Sequence, residues 1–233
     1  MIHALQLAGK ILLHKAPLRA LWWGIGNKFH YLLKTGNRRY EFELLYFEHG
    51  DPWNYRCNTE EHVKYDRTLG CLLKWRKAAN SALEVGCSIG VFSSQLAAHF
   101  DEVTAIDVSR EALRAAAYHN RAAHNILFVH GDLRSFEADR QYDAIICAEI
   151  LYYIPKKHAQ RVCQQLDKCL APHGTIVTVT GVSNDETNFF YFNGWDRILS
   201  RRFVEVCRET VTAGVRPYEI IVFSRPTQPL LLT

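Results

Sequence analysis

Apolar and polar positions alternate in blocks from Ser81 onward, and the blocks predict strands separated by helices. Short apolar runs, such as SALEV at 81–85 and ILFVH at 126–130, predict strands, and Ser109 can cap a helix whose first turn holds Glu111. Strands spaced by helices in this way indicate βαβ units with right-handed crossovers and a parallel sheet. The predicted strands are 81–85, 102–107, 126–130, 142–150 and 174–182, and the predicted helices are 91–99, 110–123 and 155–170.

The C-terminal segment departs from this alternation. After the polar and aromatic loop SNDETNFFYFNGW, two long runs of β-type residues follow at 202–211 and 218–225. The connection between them, 212–217, is too short for a crossover helix, so the two strands must be antiparallel. The pattern therefore predicts a parallel sheet that ends in an antiparallel hairpin.

A further helix is predicted ahead of the first strand, at 59–77. Asn58 can act as its N-cap, and Glu61 follows three residues later in an arrangement that resembles a capping box. Apolar residues at helical spacing can share one side of this helix, which should cover one end of the sheet. The residues of that side are Val63, Leu69, Leu72 and Leu73.

Charge divides the chain near Asp51. A chain of 233 residues, 48% hydrophobic and 22% charged, suits one substantial domain with an appendage. The formal net charge is +4, yet residues 1–40 hold seven Lys or Arg and no acidic residue, and the remainder holds 21 basic against 24 acidic residues. We therefore predict a basic, aromatic arm at 1–50 and a domain at 51–233 that includes the helix at 59–77.

Cysteine content and hydropathy bear on the compartment and on the partners of the arm. Seven cysteines without a C-x-x-C pair or metal-ligand spacing predict a reducing compartment and no metal site. No apolar run approaches the roughly 20 residues of a membrane span, and the interrupted stretch ILLHKAPLRALWW predicts no cleavable signal. We expect a cytoplasmic protein. Its arm could contact an anionic membrane surface, bind a partner or glycan, or pack on the domain, and no nucleic-acid motif accompanies it.

The stretch SALEVGCSIGVF predicts a nucleotide-type site, because a buried strand runs into a glycine turn and then a helix. Glycine lets the backbone approach a ligand, and the helix N-terminus presents free N–H groups. The turn GCSIG at 86–90 does not match the G-x-G-x-x-G of dinucleotide sites, and the Lys and Ser/Thr of a phosphate-binding loop are absent. The turn by itself therefore does not identify the ligand.

Three carboxylates at the ends of neighbouring strands narrow the choice. Glu84 stands two residues before the first glycine, where it suits an ammonium group better than a pyrophosphate. Asp107 ends the second strand, where an acid can accept both hydroxyls of a ribose, and Asp132 follows the third strand, where it could accept from an adenine amino group. Together they suit a ligand with amino, ribose and adenine groups and no phosphate.

These motifs resemble those of class I S-adenosylmethionine-dependent methyltransferases. LEVGCSIG resembles the E-x-G-x-G-x-G motif of that superfamily, AIDVS its ribose-binding acid and HGDL its adenine-side motif. Within the superfamily, DPWNY, LEVGCSIGVF and AEILYYI resemble the nodulation protein S family, N-methyltransferases of glucosamine-containing oligosaccharides. The resemblance implies a Rossmann-like α/β fold with a mostly parallel seven-stranded sheet of order 3-2-1-4-5-7-6, helices on both faces and a C-terminal antiparallel hairpin.

The resemblance also implies where the cofactor binds. Ser88 departs from the family pattern, because it replaces the middle glycine of the general motif. The helix at 59–77 is implied to act as a lid, with Trp53, Lys64 or Tyr65 near the methionine carboxylate. The other implied cofactor contacts are Glu84, Gly86, Cys87 and Gly90 at the methionine part, Asp107 and Val108 at the ribose, and Asp132 and Leu133 at the adenine. Glu149 is predicted to contact the cofactor where the fourth strand opens onto it.

Methyl transfer from a sulfonium is an in-line displacement, so the protein has chiefly to position the nucleophile and exclude water. An amine acceptor must lose a proton, and we expect Glu149 to orient the amine or take its proton, with Tyr152 in a catalytic role beside it and Tyr153 in the pocket. The expected acceptor is the amine of an amino sugar or oligosaccharide. The alternatives are O-methylation of another metabolite, a nicotinamide-dependent oxidoreductase and a catalytically silent binding domain.

Overall fold

Seven strands form one sheet in the part of the chain that the computed structural model describes, residues 38–75, 80–182, 194–214 and 216–226. The strand order is β3-β2-β1-β4-β5-β7-β6, and β7 runs antiparallel to both β5 and β6, whereas the other neighbours are parallel. The predicted fold class and strand order are therefore confirmed. The strands are β1 Ser81–Val85, β2 Glu102–Asp107, β3 Ile126–His130, β4 Tyr142–Ala148, β5 Leu170–Gly181, β6 Val204–Val211 and β7 Tyr218–Ser224.

Helices cover both faces of this sheet. Side chains alternate between the faces along each strand, so Leu83 and Ile145 pack with Val162 of one helix on one face, while Ala82 and Val177 pack on the other. None of the described helices is long and apolar enough to cross a membrane. The helices are α1 Arg38–His49, α2 Thr59–Trp75, α3 Val91–Ala97, α4 Arg110–His119, α5 Ala159–Cys169 and α6 Trp195–Leu199, with short 3₁₀ helices at Leu151–Tyr153 and Lys156–His158.

The chain divides into two compact units, residues 1–41 and 42–233. The division precedes the boundary predicted near Asp51, so residues 42–50 belong to the unit that carries the sheet. The arm predicted at 1–50 lies outside the described residues as far as residue 37, and with it lie its proposed membrane or partner contacts. The last residues of the helix predicted at 59–77 and most of the loop after β5 also lie outside the described residues.

Local signals set most boundaries, and tertiary contacts set the others. Asn58 caps α2, since its Oδ1 accepts a hydrogen bond from the N–H of Glu60 at 3.1 Å. The apolar side predicted for α2 is partly wrong: Val63 is 51% exposed, and Lys64 is buried instead. Strand β4 ends at Ala148 rather than at 150, because Glu149 has a φ of 55°, which no strand residue adopts.

Candidate active site

The glycine turn between β1 and α3 is built from three residues with positive φ. Gly86, Ser88 and Gly90 have φ values of 77°, 52° and 77°. A glycine is required at position 90 by its positive φ and by the space around it. A Cβ at this position would lie 2.6 Å from the Asn120 side-chain nitrogen and 3.0 Å from the Cβ of Ala116. Ser88, which replaces the middle glycine, adopts the left-handed conformation that glycine would adopt freely.

Asp107 at the end of β2 orients the glycine turn through a hydrogen bond from the turn's backbone. Its two carboxylate oxygens accept hydrogen bonds from the backbone N–H groups of Ser88 and Ser109, each at 2.9 Å. Asp107 is buried, and burial raises its pKa although the N–H groups of Ser109, Ser88 and Val108 oppose that shift. The predicted ribose acid is therefore fixed in orientation by backbone groups on both sides.

Glu84 is buried in β1 beside the turn. Its carboxyl accepts a 2.5 Å hydrogen bond from Ser93 Oγ in α3. Burial raises the pKa of Glu84 to about 8, with a further contribution from the charge of Asp107. Such a carboxyl group is mostly protonated at pH 7 and becomes a carboxylate when a cation binds beside it, which suits the ammonium group predicted to bind there.

Glu149 follows the end of β4 and is the central residue of a second group of site residues, which includes Tyr152 and Lys64. Its N–H still donates to the carbonyl of Val179 at 2.9 Å, but its positive φ turns the chain out of the strand. The carboxylate accepts from Tyr152 Oη at 2.6 Å and from Lys64 Nζ at 3.2 Å. Because Tyr152 lies on the 3₁₀ helix and Lys64 on α2, two separate elements hold this carboxylate in place.

Lys64 is shared between two carboxylates. Its Nζ lies 2.9 Å from Glu61 Oε1 and 3.2 Å from Glu149 Oε1, and 5.4 Å from the ring centroid of Tyr218. Burial opposes the charged form, but Glu149 and Glu61 outweigh it and raise the pKa of Lys64. Lys64 is thus a fixed cation, and the cluster of two carboxylates and one ammonium carries one net negative charge.

One pocket brings the two halves together. It is lined by the glycine turn and Glu84 on one side and by α2 and Glu149 on the other. The described residues include no group of three or more His, Cys, Asp or Glu that could hold a metal ion. The predicted site residues in its lining are Lys64, Tyr65, Glu84, Gly86, Cys87 and Glu149.

Trp53 is not one of the residues that line this pocket, and it packs against the lining residue Tyr55. Its ring packs 5.6 Å from Tyr46 and 5.7 Å from Tyr55, measured between ring centroids, and it is Tyr55 that lines the pocket. Contact between Trp53 and the cofactor stays a prediction.

Comparison with known proteins identifies the family. A sequence model of the nodulation protein S (NodS) family matches residues 43–191, well over half of the chain. The chain belongs to the NodS family. This family consists of class I S-adenosylmethionine-dependent methyltransferases, so methyl transfer is the reaction class of the chain and S-adenosylmethionine is its cofactor, with S-adenosylhomocysteine as the product.

Individual relatives agree with this assignment. The chain is 33% identical to nodulation protein S of Sinorhizobium fredii over 151 residues, which cover 64% of this chain and 69% of that protein. It spans about half to two thirds of the length of the curated nodulation proteins S that it matches. A more distant relative, 29% identical over about half of each chain, is the ubiquinone biosynthesis O-methyltransferase of Psychrobacter cryohalolentis.

A solved structure shares the fold. The N-methyltransferase NodS from Bradyrhizobium japonicum WM9, solved in complex with S-adenosylhomocysteine, superposes with a TM-score of 0.74 at 24% identity, over 81% of this chain and 99% of that one.

The predicted adenine end of the site in this NodS family member has a feature absent from the prediction. Both carboxylate oxygens of Asp132 accept from Arg134: Oδ1 from its N–H at 2.8 Å and Nε at 2.9 Å, Oδ2 from Nε at 3.1 Å and Nη2 at 2.6 Å. Leu133 between them is buried. The carbonyl of Val108 lies 3.1 Å from His130 Nε2. Asp132, Leu133 and Val108 remain predicted cofactor contacts, and Asp132 has a competing partner.

Sequence reasoning missed four residues of this site. Tyr55 lines the pocket, and Glu61 was noted only as a helix-cap residue. Glu43 and Tyr46 on α1 contact the region around Asp107, although their segment was assigned to the arm. The spacing of Glu43 and Tyr46, three residues apart, places them on one side of a helix, but it does not indicate that this side faces Ser88 and Ser109.

Proposed function

We propose that this protein is an N-methyltransferase that transfers the methyl group of S-adenosylmethionine to the amine of an amino sugar, free or within an oligosaccharide. The observation that carries the proposal is the charge of the pocket. Glu61 and Glu149 line it against a single lysine, Lys64, so this cluster carries one net negative charge. An acceptor that arrives as an ammonium ion is attracted by this field, whereas a carboxylate acceptor is repelled.

The cofactor supplies an electrophilic methyl group on a sulfonium. The acceptor nitrogen attacks with its lone pair, the N–C bond forms as the S–C bond breaks, and the bonding pair stays on sulfur. The chain has to hold the amine in line with the methyl group and accept the proton that the amine loses. Glu149 is the proposed acceptor of that proton, and its hydrogen bonds to Tyr152 and Lys64 fix its position.

Family membership supports the choice of acceptor. Membership of a methyltransferase family excludes the nicotinamide-dependent oxidoreductase that the sequence left open as an alternative function. The amino-sugar acceptor rests on the resemblance to NodS N-methyltransferases, and the O-methyltransferase relative keeps O-methylation as the alternative. We place the reaction in the cytoplasm, because all seven cysteines are free thiols.

An acceptor screen with S-adenosylmethionine labelled in the methyl group tests the proposal. Glucosamine oligomers with one free amine are compared with the fully N-acetylated oligomers, which keep the hydroxyl groups and lack the amine. Label that enters only the free-amine series, on nitrogen, supports the proposal. Equal labelling of both series indicates O-methylation and contradicts the proposal. A phenol is included as a third acceptor, and labelling of the phenol without labelling of either oligomer series also contradicts the proposal.

A further inference from the structure

Two side chains of α1 contact the two serines that flank Asp107. Tyr46 Oη donates to Ser88 Oγ at 2.6 Å, and Glu43 Oε2 accepts from Ser109 Oγ at 2.7 Å. Glu43 and Tyr46 are one helical turn apart, so a single helix makes both contacts. The backbone N–H groups of the same two serines are the ones that donate to the two oxygens of Asp107.

The chemical state of each group suits its part in this arrangement. Burial and the charge of Asp107 raise the pKa of Tyr46, so its hydroxyl remains a donor. Burial pushes the pKa of Glu43 upward, but hydrogen bonds from Ser109 and from the N–H groups of Glu111 and Arg110 outweigh it and leave that pKa below its usual range. Glu43 is therefore a carboxylate at the N-terminus of α4, where the helix dipole favours negative charge.

We infer that Glu43 and Tyr46 are positioning residues for the ribose of the cofactor. They hold Ser88 and Ser109, and these serines orient the carboxylate that accepts the ribose hydroxyls. Ser88 lines the pocket, whereas Glu43, Tyr46 and Asp107 are not among the lining residues. The two residues of α1 therefore act through the serines and Asp107 rather than by lining the pocket themselves. The inference rests on S-adenosylmethionine as the cofactor and on Asp107 as the ribose acid, and it is independent of the acceptor.

Calorimetric titration of Tyr46→Phe and Glu43→Ala with three ligands tests this role. The ligands are S-adenosylhomocysteine, methylthioadenosine, which lacks the amino acid, and an S-adenosylhomocysteine analogue without the two ribose hydroxyls. We expect the dissociation constants of the first two ligands to rise about 5- to 30-fold, the effect of one or two lost polar interactions. The constant for the third ligand should change less than about 2-fold, because that ligand has no hydroxyls for Asp107 to bind.

Matched variants separate positioning from packing. Tyr118→Phe and Glu48→Ala change the same residue types at exposed positions and should leave all three constants unaltered. If Tyr46→Phe fails to fold, Ser88→Ala removes the same hydrogen bond, keeps the N–H that Asp107 needs, and should give the same ligand-selective loss. An equal loss for all three ligands, or no loss for any, overturns the inference.

Discussion

The phenol of Tyr46 and the hydroxyl of Ser88 form a buried 2.6 Å hydrogen bond across 42 residues of sequence. Ser88 has a φ of 52° at the position where the general motif has glycine. A residue with a Cβ in the left-handed region costs on the order of 1 kcal/mol, and this hydrogen bond offsets part of that cost. The departure from the motif and the aromatic residue on α1 are therefore one feature of the structure.

A double-mutant cycle measures the coupling between these two residues. Ser88→Gly relieves the backbone but leaves the buried Tyr46 hydroxyl without its acceptor, so we expect the free energy of unfolding to fall by about 1 kcal/mol. Tyr46→Phe should cost a similar amount. The double variant has neither the strain nor the orphaned hydroxyl, and we expect it to match or exceed the wild type in urea unfolding with an unchanged m-value.

The control for this cycle combines Ser88→Gly with Tyr118→Phe, since Tyr118 is exposed and lies on α4. Those two changes should be additive. If Ser88→Gly and Tyr46→Phe are also additive, the two residues are not coupled and the hydrogen bond from Tyr46 does not offset the backbone strain at Ser88.

Glu84 should make both stability and cofactor affinity depend on pH. Its folded-state pKa of about 8 lies above its value in the unfolded chain, so its contribution to stability is fully present below about pH 4.5 and is lost as the pH rises through 8. Glu84→Gln should therefore gain stability relative to the wild type between pH 6 and 9. Urea unfolding at several pH values measures this difference, and a constant difference would contradict the raised pKa.

Cofactor binding supplies a second readout of Glu84. The amino group of the ligand is protonated at pH 7, and its charge favours the carboxylate form, so binding at pH 7 should release a proton from Glu84. Calorimetry of S-adenosylhomocysteine binding in buffers of different ionisation enthalpy counts that proton. Proton release that persists in Glu84→Gln would assign it to another group.

The strands of this protein were predictable because their signals are local. Strands β1, β2 and β3 have the predicted bounds, since each is a short apolar run. The end of β4 was not predictable in the same way, because the conformation of Glu149 accompanies contacts with Lys64, far away in sequence, and with Tyr152.

The residues of the candidate site also fall into two groups, those that local sequence patterns indicate and those that only tertiary contacts bring to the site. Glu84 and Asp107 could be identified from the sequence, since the carboxyl ends of parallel strands meet at one edge of a sheet. The part played by α1 could not, because Tyr46 and Glu43 are joined to Ser88 and Ser109 only by the tertiary fold. Local patterns locate a binding edge, and long-range hydrogen bonds decide which residues support it.

Glu149→Gln tests the proposed proton acceptor. The amide keeps the size of the side chain and can still accept from Tyr152, but it cannot take a proton. We expect kcat to fall about 10²- to 10³-fold, within the range for general-base catalysis, with little change in the dissociation constant of S-adenosylhomocysteine. Steady-state kinetics with the acceptor found in the screen measures the first quantity. A large rise in that dissociation constant with kcat retained would make Glu149 a cofactor ligand only.

Arg134 should weaken cofactor binding, because it occupies the carboxylate that the adenine amino group is predicted to reach. A carboxylate has about four lone-pair sites, and three N–H groups of Arg134 already make four contacts with the two oxygens of Asp132, because Nε is shared between them. Arg134→Ala removes the side-chain donors and keeps the backbone donor, so we expect S-adenosylhomocysteine to bind about 3- to 10-fold more tightly, the equivalent of roughly 1 kcal/mol.

A ligand without the amino group makes this last test specific. S-inosylhomocysteine carries an oxygen in place of the exocyclic amino group of adenine and cannot donate to Asp132 from that position, so its affinity should not improve in Arg134→Ala. Arg114→Ala, which removes a mostly exposed arginine that pairs with Glu111, is the matched control and should leave both affinities unchanged. Weaker binding of S-adenosylhomocysteine to Arg134→Ala would contradict this prediction. It would show that Arg134 supports cofactor binding, by orienting Asp132 or by contacting the base, and does not compete with the adenine for the carboxylate.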